Sequence, residues 1–169
     1  TYEDGVYAAG RVLSATEFAA VRDGSVYYAL RSDPVGRATA FVRDPMSIPL
    51  QRRLDGTASL NVYLGRGSAS WSGVFALANG AGDALDFSVP PTPISPNGHL
   101  VGQPGSWTLV FNNMTYESLP SGNLTGSLVG PGPNLLGRVP VTGAVGGGSL
   151  RNGTSGPEVR LTYGTELKR

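Results

Sequence analysis

His99 is the only histidine in the 169 residues, so a Ser-His-Asp triad would have to use it as the general base. It follows Pro96, Asn97 and Gly98, which are typical of an exposed turn, and no nucleophile-elbow glycine pattern lies nearby. A zinc site built on imidazoles needs at least two histidines. We therefore expect His99 to be a solvated loop residue and not a catalytic or metal-binding one.

Asp83 and Asp86 follow the glycine-rich segment 79–82, a pattern similar to part of a calcium-binding loop or to one turn of a glycine-aspartate β-roll. Calcium takes about six to eight oxygen ligands, and β-roll turns work only in series. A single copy indicates instead a hairpin turn before a strand. The other acidic residues stand singly, and the absence of cysteine excludes thiolate chemistry. The sequence thus predicts no enzyme activity, no bound metal and no cofactor.

The charge of the chain argues against polyanionic partners. Thirteen basic and twelve acidic residues give a net charge of +1, whereas phosphate binding needs clustered positive charge. We expect no nucleic-acid partner, and no stretch reaches the roughly 18 apolar residues of a membrane-spanning helix. Charged residues make up 15% of the chain, against about 25% in typical proteins. That composition favours a secreted, periplasmic or cell-surface protein.

Two further features bear on export. Asn113, Asn123 and Asn152 each begin an Asn-x-Thr pattern, the acceptor of N-glycosylation in secreted proteins. The segment that begins at Thr1 has neither a basic region nor an apolar region of the kind found in signal peptides. We therefore infer export from composition, and expect no signal peptide within this sequence.

Most of the chain shows the two-residue period of β-strands. Apolar and polar side chains alternate in the segments that begin near Ser25, Gly56 and Gly67, and again in later ones, so that we count about eight to ten strands. Short glycine-rich turns without alternating helices predict an all-β fold, either an antiparallel β-barrel or a two-sheet β-sandwich. Gly73 and Gly126 lie inside strands, which favours the barrel because closure needs sharp bends.

The predicted barrel has one lining and one short helix. Its lining consists of apolar residues from many strands, among them Leu60, Trp71, Phe87, Leu109 and Leu161. Ser14 and Glu17 form a capping-box pattern, which predicts a helix over about 15–22 that covers the barrel as a plug or lid. We expect a single domain over residues 1–169.

Three segments lack clear periodicity and are predicted to be long loops, at about 32–55, 90–105 and 130–156. The first contains several arginines and a weaker alternating run at 37–42. The second holds five prolines in sixteen residues. The third contains a weaker alternating run at 136–145 and then Gly146-Gly147-Gly148, which we expect to form a turn because no phosphate-loop context follows.

Several stretches together resemble a known bacterial module: VLSATEFAAVRDGSVYYALRSDP, LDGTASLNVYLGRGSASWSGVFAL, NLTGSLVGPGP and PEVRLTYG. The module is the small β-barrel of FecR-domain envelope proteins, itself similar to barrels of transferrin-binding-protein-like surface lipoproteins. The matching positions are Gly24, Tyr28 and Leu30, then Gly56, Leu60, Val62 and Leu64, and later Gly126, Ser127, Leu128, Gly130 and Pro131.

The resemblance covers residues 12–164 and implies a bacterial barrel with a short helix, exposed at the cell envelope. Relatives of that family bind host iron proteins or haem through loops, but those loops are not recognisable here. The chain also departs from the pattern in two ways, because the aromatic-rich end of the barrel is thinned and no FecR domain or lipobox cysteine is present.

Taken together, the sequence predicts a non-enzymatic, exported binding module that contacts a protein, glycan or small ligand through its loops. Arg52, Arg53, His99 and Trp107 are the candidate binding residues, since each falls in or beside a predicted long loop. The alternative is a structural subunit of an extracellular filament, surface layer or coat that associates with copies of itself, because weakly charged surfaces associate readily.

Overall fold

A computed structural model of the chain describes residues 11–23, 29–32, 37–43, 51–77, 82–117, 120–130 and 141–168. These residues form one helix and twelve strands, with a 3₁₀ turn at Leu64–Arg66. The elements are β1 (Arg11–Val12), α1 (Ala15–Asp23), β2 (Ala29–Ser32), β3 (Arg37–Arg43), β4 (Gln51–Tyr63), β5 (Ser68–Ala76), β6 (Ala84–Pro93), β7 (His99–Gly102), β8 (Ser106–Phe111), β9 (Met114–Tyr116), β10 (Ser121–Gly130), β11 (Gly143–Arg151) and β12 (Glu158–Lys168).

All twelve strands belong to one antiparallel sheet, which confirms the predicted all-β class with a single short helix. The strand order is β1-β10-β11-β12-β2-β4-β5-β6-β8-β9, while β3 pairs with β12 and β4, and β7 pairs with β10. Since neighbours along the chain are mostly neighbours in the sheet, the topology is largely an up-and-down meander. The two separate sheets of the sandwich alternative are not found among the described residues.

The predicted ring is not closed by continuous ladders. Between β6 and β7 only one bridge remains, Ile94 with Leu100. The β6–β8 ladder pairs Ser88 with Ser106, and the Ile94–Leu100 bridge continues that pairing in the same register. Strands β7 and β8 therefore lie end to end along the same edge of β6. Prolines at positions 90, 91, 93 and 104 lie between the end of the β6–β8 ladder and the Ile94–Leu100 bridge. Proline has no N–H to donate to a ladder, so pairing is interrupted there.

One face of the sheet encloses a single hydrophobic core. All five residues predicted to line it, Leu60, Trp71, Phe87, Leu109 and Leu161, are at most 5% exposed. In β5 and β6 buried and exposed positions alternate along the strand, as the sequence period predicted. The opposite face carries mainly serine, threonine and charged side chains and forms the outer surface.

Helix α1 confirms the predicted capping box. The backbone N–H of Ser14 donates to Glu17 Oε2 at 2.8 Å, and the N–H of Glu17 donates to Ser14 Oγ at 3.3 Å. Arg11 adds two hydrogen bonds to the same carboxylate. These bonds, that of Arg11 above all and then that of the Ser14 N–H, lower the pKa of Glu17 to about 2.

The helix covers one end of the core, as a plug or lid would. Phe18 is 1% exposed, belongs to the core cluster, and lies near Gly98 and Leu128. Leu13, just before the helix, is also buried and donates its N–H to the carbonyl of Leu128 at 3.4 Å.

The three predicted long loops are wrong in large part, because each contains a strand. Strand β3 and the start of β4 lie within 32–55, where the weaker run at 37–42 was correct. Part of β6 and all of β7 lie within 90–105, and β11 lies within 130–156. Gly146-Gly147-Gly148, predicted to be a turn, lies in the middle of β11. The sequence shows no sign of this strand there, because glycine has no side chain with which to show alternation.

Candidate functional site

The four predicted binding residues all lie on strands, so their predicted loop position is wrong. Arg52 and Arg53 belong to β4, His99 begins β7, and Trp107 belongs to β8. Trp107 is 3% exposed and part of the core, which removes it from the surface. Arg53 and His99 are exposed, and their binding role stays a prediction.

Arg52 has a structural partner. Its Nη1 lies 2.6 Å from Oδ2 of Asp83, which is 3% exposed, and the backbone N–H of Asn112 donates to Asp83 Oδ1 at 2.9 Å. The guanidinium also lies over the ring of Phe111, 5.8 Å from its centre. Both oxygens of Asp83 thus join β4 to the β8–β9 turn, while Asp86 is exposed on the outer face of β6.

A groove of about 350 Å³ lies on the outer face of β7, β10 and β11, and we call it the outer groove. Side chains of alternate, outward positions form its walls, and the backbone of the positions between forms its floor. Its lining residues are His99, Leu100, Val101, Thr125, Gly126, Ser127, Val145 and Gly146.

The ladders bring the polar groups of the outer groove together. His99 lies opposite Ser127, and Ser127 lies opposite Val145 on the next strand. Nδ1 of His99 is 2.7 Å from Ser127 Oγ, and the hydroxyl of Thr125 donates to the carbonyl of Gly147 at 3.1 Å. The backbone N–H of His99 donates to Ser95 Oγ at 3.0 Å, which fixes the start of β7.

Glycines make the floor thin, and Tyr163 supports it from inside. Gly126, Gly146 and Tyr163 lie directly opposite one another on β10, β11 and β12. A Cβ placed on Gly126 or Gly146 would lie 2.2 or 2.6 Å from Tyr163 Oη, so the tyrosine ring occupies the space that side chains would need. The floor of the outer groove is therefore a single layer of backbone over the Tyr163 side chain.

The Tyr163 hydroxyl is anchored on both sides. It donates to the carbonyl of Thr125 at 3.1 Å and accepts from Trp71 Nε1 at 3.0 Å. Burial raises the pKa of Tyr163 to about 12, an effect that the hydrogen bond from Trp71 partly opposes. These bonds hold the floor in place without a ligand, as expected of a preformed site.

The outer groove offers hydrogen bonds and apolar surface, and none of its described lining residues is Asp, Glu, Lys or Arg. Among its lining residues, an imidazole and two hydroxyls stand beside Val101, which is 56% exposed, and Val145. None of its described lining residues has a carboxylate, so His99 and Ser127 meet no acid among them of the kind that orients a catalytic histidine. Within the described part of the chain, no cluster of three or more metal-ligating side chains occurs.

Sequence reasoning found His99 but missed Thr125, Ser127 and Val145. The alternation in NLTGSLVG does place Thr125 and Ser127 on the outer face. Nothing in the sequence, however, pairs Ser127 with His99, because that contact depends on the register of β7 against β10.

Comparison of the chain with protein-family models, with curated proteins and with solved structures finds no match. The likeness to the FecR-domain and transferrin-binding-protein-like barrels therefore stays a prediction. Within the described residues, no helix has the length and apolar character needed to cross a membrane.

Proposed function

We propose that the protein is a non-enzymatic, exported binding module whose site is the outer groove. The observation that carries the proposal is the pairing of His99 with Ser127 above a glycine floor supported by Tyr163. The ligand would then contact the outer face of β-strands and not loops. Because strands in a sheet are rigid, less conformational entropy is lost on binding.

The ligand that fits the chemistry of the outer groove is neutral and carries hydroxyl groups, as a glycan does. An ionised group would lose hydration there without meeting a lysine, arginine or carboxylate side chain, since none is among the described lining residues. The imidazole and hydroxyls can exchange hydrogen bonds with sugar hydroxyls, while Val101 and Val145 contact the apolar face of a sugar ring.

The proposal of export is supported by composition and by sequence patterns. The chain has only 15% charged residues and three Asn-x-Thr patterns. Of these asparagines, Asn113 and Asn123 are exposed and Asn152 is half-buried. A secreted, periplasmic or cell-surface location also agrees with the resemblance to envelope barrels.

The test is NMR titration of isotope-labelled protein with neutral tri- and tetrasaccharides of glucose, mannose, galactose and N-acetylglucosamine. A sulfated tetrasaccharide is the charged comparison. We expect at least one neutral sugar to shift the amide signals of residues 99–101, 125–127 and 145–147, and the sulfated sugar to bind more weakly. Shifts confined to other residues, or none with any sugar, would contradict the proposal.

Variants make the test specific. Ser127→Ala and His99→Ala should each weaken binding by about fivefold, since each removes a hydrogen bond worth about 1 kcal/mol. Ser88→Ala, an equal change on the outer face of β6, should leave binding unchanged. Hydrolase assays and labelling by a fluorophosphonate test the proposal that the protein is not an enzyme. Covalent labelling that is lost in Ser127→Ala would show that Ser127 is a nucleophile and would contradict it.

A second candidate function is the self-associating structural subunit. It is favoured by the outer surface of β4, β5, β6 and β8, which is built mainly of small uncharged side chains. Sedimentation velocity over a range of concentrations tests it, and a constant monomer mass up to millimolar protein would exclude it.

A further inference from the structure

Four serines form a straight row across the outer face of four neighbouring strands. The ladders pair Ser59 with Ser72, Ser72 with Ser88, and Ser88 with Ser106, on β4, β5, β6 and β8. Three of the four are exposed and Ser59 is half-buried. Adjacent strands lie about 4.8 Å apart, so the row spans about 14 Å. We call this surface the hydroxyl wall.

The next row of the hydroxyl wall contains an exposed apolar residue and the two acidic residues of the wall. Val74 is 59% exposed, and it lies between Thr57 and Asp86 in register. Thr108 follows on β8, and the exposed Glu117 comes directly after β9. Small side chains lose little rotamer freedom on burial, so such a wall is inexpensive to cover.

Charge divides the chain into two unequal parts. Residues 67–137 contain three acidic residues and no lysine or arginine, whereas the rest of the sequence carries all thirteen basic residues and nine acidic ones. In the sheet, β5, β6, β8 and β9 follow one another in the acidic part, and β11, β12, β3 and β4 are neighbours in the basic part.

The basic part has its own outer surface, which we call the arginine wall, formed by Arg43, Arg53 and Arg160. In register, Arg160 of β12 and Arg53 of β4 are two strands apart, with β3 between them. Their side chains are 71% and 40% exposed, and they pair with Glu158 and Asp55. The Arg160 guanidinium has five N–H donors, so its pair with Glu158 leaves room for a second carboxylate.

We propose that the hydroxyl wall of one copy of this chain packs against the arginine wall of another. Asp86 and Glu117 are two strands apart, as are Arg160 and Arg53, so the two pairs have matching separations of about 10 Å. Apart from these acids the hydroxyl wall is uncharged, so its burial strands no unpaired ion. This proposal rests on the second candidate function and is independent of the outer groove.

Because the two walls are different surfaces of one molecule, the contact is heterologous. A contact of this kind leaves one wall free at each end, and repetition gives an open chain or a ring of copies and not a closed two-fold dimer. The association should weaken with salt, since it depends on exposed charges.

Sedimentation velocity at 10 µM to 1 mM protein, in 20 mM and in 500 mM NaCl, tests the proposal with charge exchange. Asp86→Arg alone and Arg160→Glu alone should each remain monomeric at concentrations where the natural protein associates. An equal mixture of the two should associate again, and so should the double variant, because opposite charges then face each other. Asn97→Arg, at an exposed turn away from both walls, is the control and should associate normally.

Two outcomes would overturn the proposal in different ways. If the natural protein is monomeric throughout, the second candidate function fails with it. If the protein associates but neither charge variant changes the sedimenting mass, self-association stands and the pairing of these two walls is wrong. Circular dichroism and melting temperature establish that each variant is folded.

Discussion

Two parts of the inner face use glycine to accommodate aromatic rings, but they hold the rings differently. In β5, a Cβ on Gly73 would lie 2.5 Å from a carbon of Phe87 and 2.7 Å from a carbon of Phe75, whose rings stack 6.1 Å apart. In β10 and β11, Gly126 and Gly146 lack the side chains that would collide with the Tyr163 hydroxyl. The phenylalanine pair makes only apolar contacts, whereas Tyr163 hydrogen-bonds the sheet itself.

The comparison shows what a hydroxyl adds to a packed ring. The Phe75–Phe87 pair stabilises the core and leaves the outer face of β5 and β6 a regular serine-rich wall. Tyr163 also fixes the carbonyl of Thr125, which belongs to the outer groove. The same packing solution therefore gives a structural surface on one side and a preformed groove on the other.

The largest effect should come from Gly146→Ala. The new Cβ would lie 2.1 Å from the carbonyl oxygen of Thr125 and 2.6 Å from Gly126 Cα, and backbone atoms cannot move aside as a side-chain tip can. We expect a loss of at least about 3 kcal/mol in the free energy of unfolding, measured by urea denaturation. Thr162→Ala, an exposed change on the neighbouring strand, is the control, and a loss below 1 kcal/mol for Gly146→Ala would contradict the close packing.

Alkaline pH should separate the two aromatic sites. Because the pKa of Tyr163 is raised to about 12 from 10, folding favours the protonated phenol. Its contribution is complete below about pH 10 and is lost as the pH rises toward 12, which amounts to about 2–3 kcal/mol. Urea midpoints from pH 8 to pH 11.5 should fall less steeply in Tyr163→Phe, whereas Phe87→Leu should keep the natural slope.

Gly126→Ala should differ from Gly146→Ala in being relieved by a second change. Its new Cβ would meet Tyr163 Oη at 2.2 Å, and its next contact is the Val145 carbonyl oxygen at 3.2 Å. Tyr163→Phe removes that oxygen, so the double variant should be more stable than the sum of the single effects by about 1–2 kcal/mol. The same cycle with Gly146→Ala or Gly73→Ala should show much less coupling, and equal coupling in all three would contradict this geometry.

The sequence was most informative where side chains alternate. Strands β4 to β6 could be predicted because Leu60, Trp71 and Phe87 alternate with small polar residues, and α1 because Ser14 and Glu17 have capping-box spacing. The glycines at 146–148 of β11 were predicted to be a turn because they carry no such signal. The prolines after Val89 predicted a long loop, but they interrupt only the ladder and not the course of the strand.

The outer groove could not have been predicted to the same degree. Its polar residues come from segments 99–101, 125–127 and 145–146, and only the strand registers bring them together. Predicting Trp107 as a binding residue failed for a related reason. Trp107 occupies an inward position in the alternation of β8, and this places it in the core although it lies close to a proline-rich segment.

The smallest effect should come from Ser88→Ala on the hydroxyl wall. Ser88 is exposed and lies between Ser72 and Ser106, so water replaces whatever hydrogen bond its hydroxyl makes, and we expect a change within about 0.5 kcal/mol in urea denaturation. Tyr163→Phe loses a comparable hydroxyl but leaves Trp71 Nε1 buried without a partner, which should cost about 1–3 kcal/mol. A loss above 1 kcal/mol for Ser88→Ala would mean that the serines stabilise the sheet itself. A negligible loss would mean that the fold does not depend on this serine hydroxyl. The serines of the hydroxyl wall would then be available to contact another molecule.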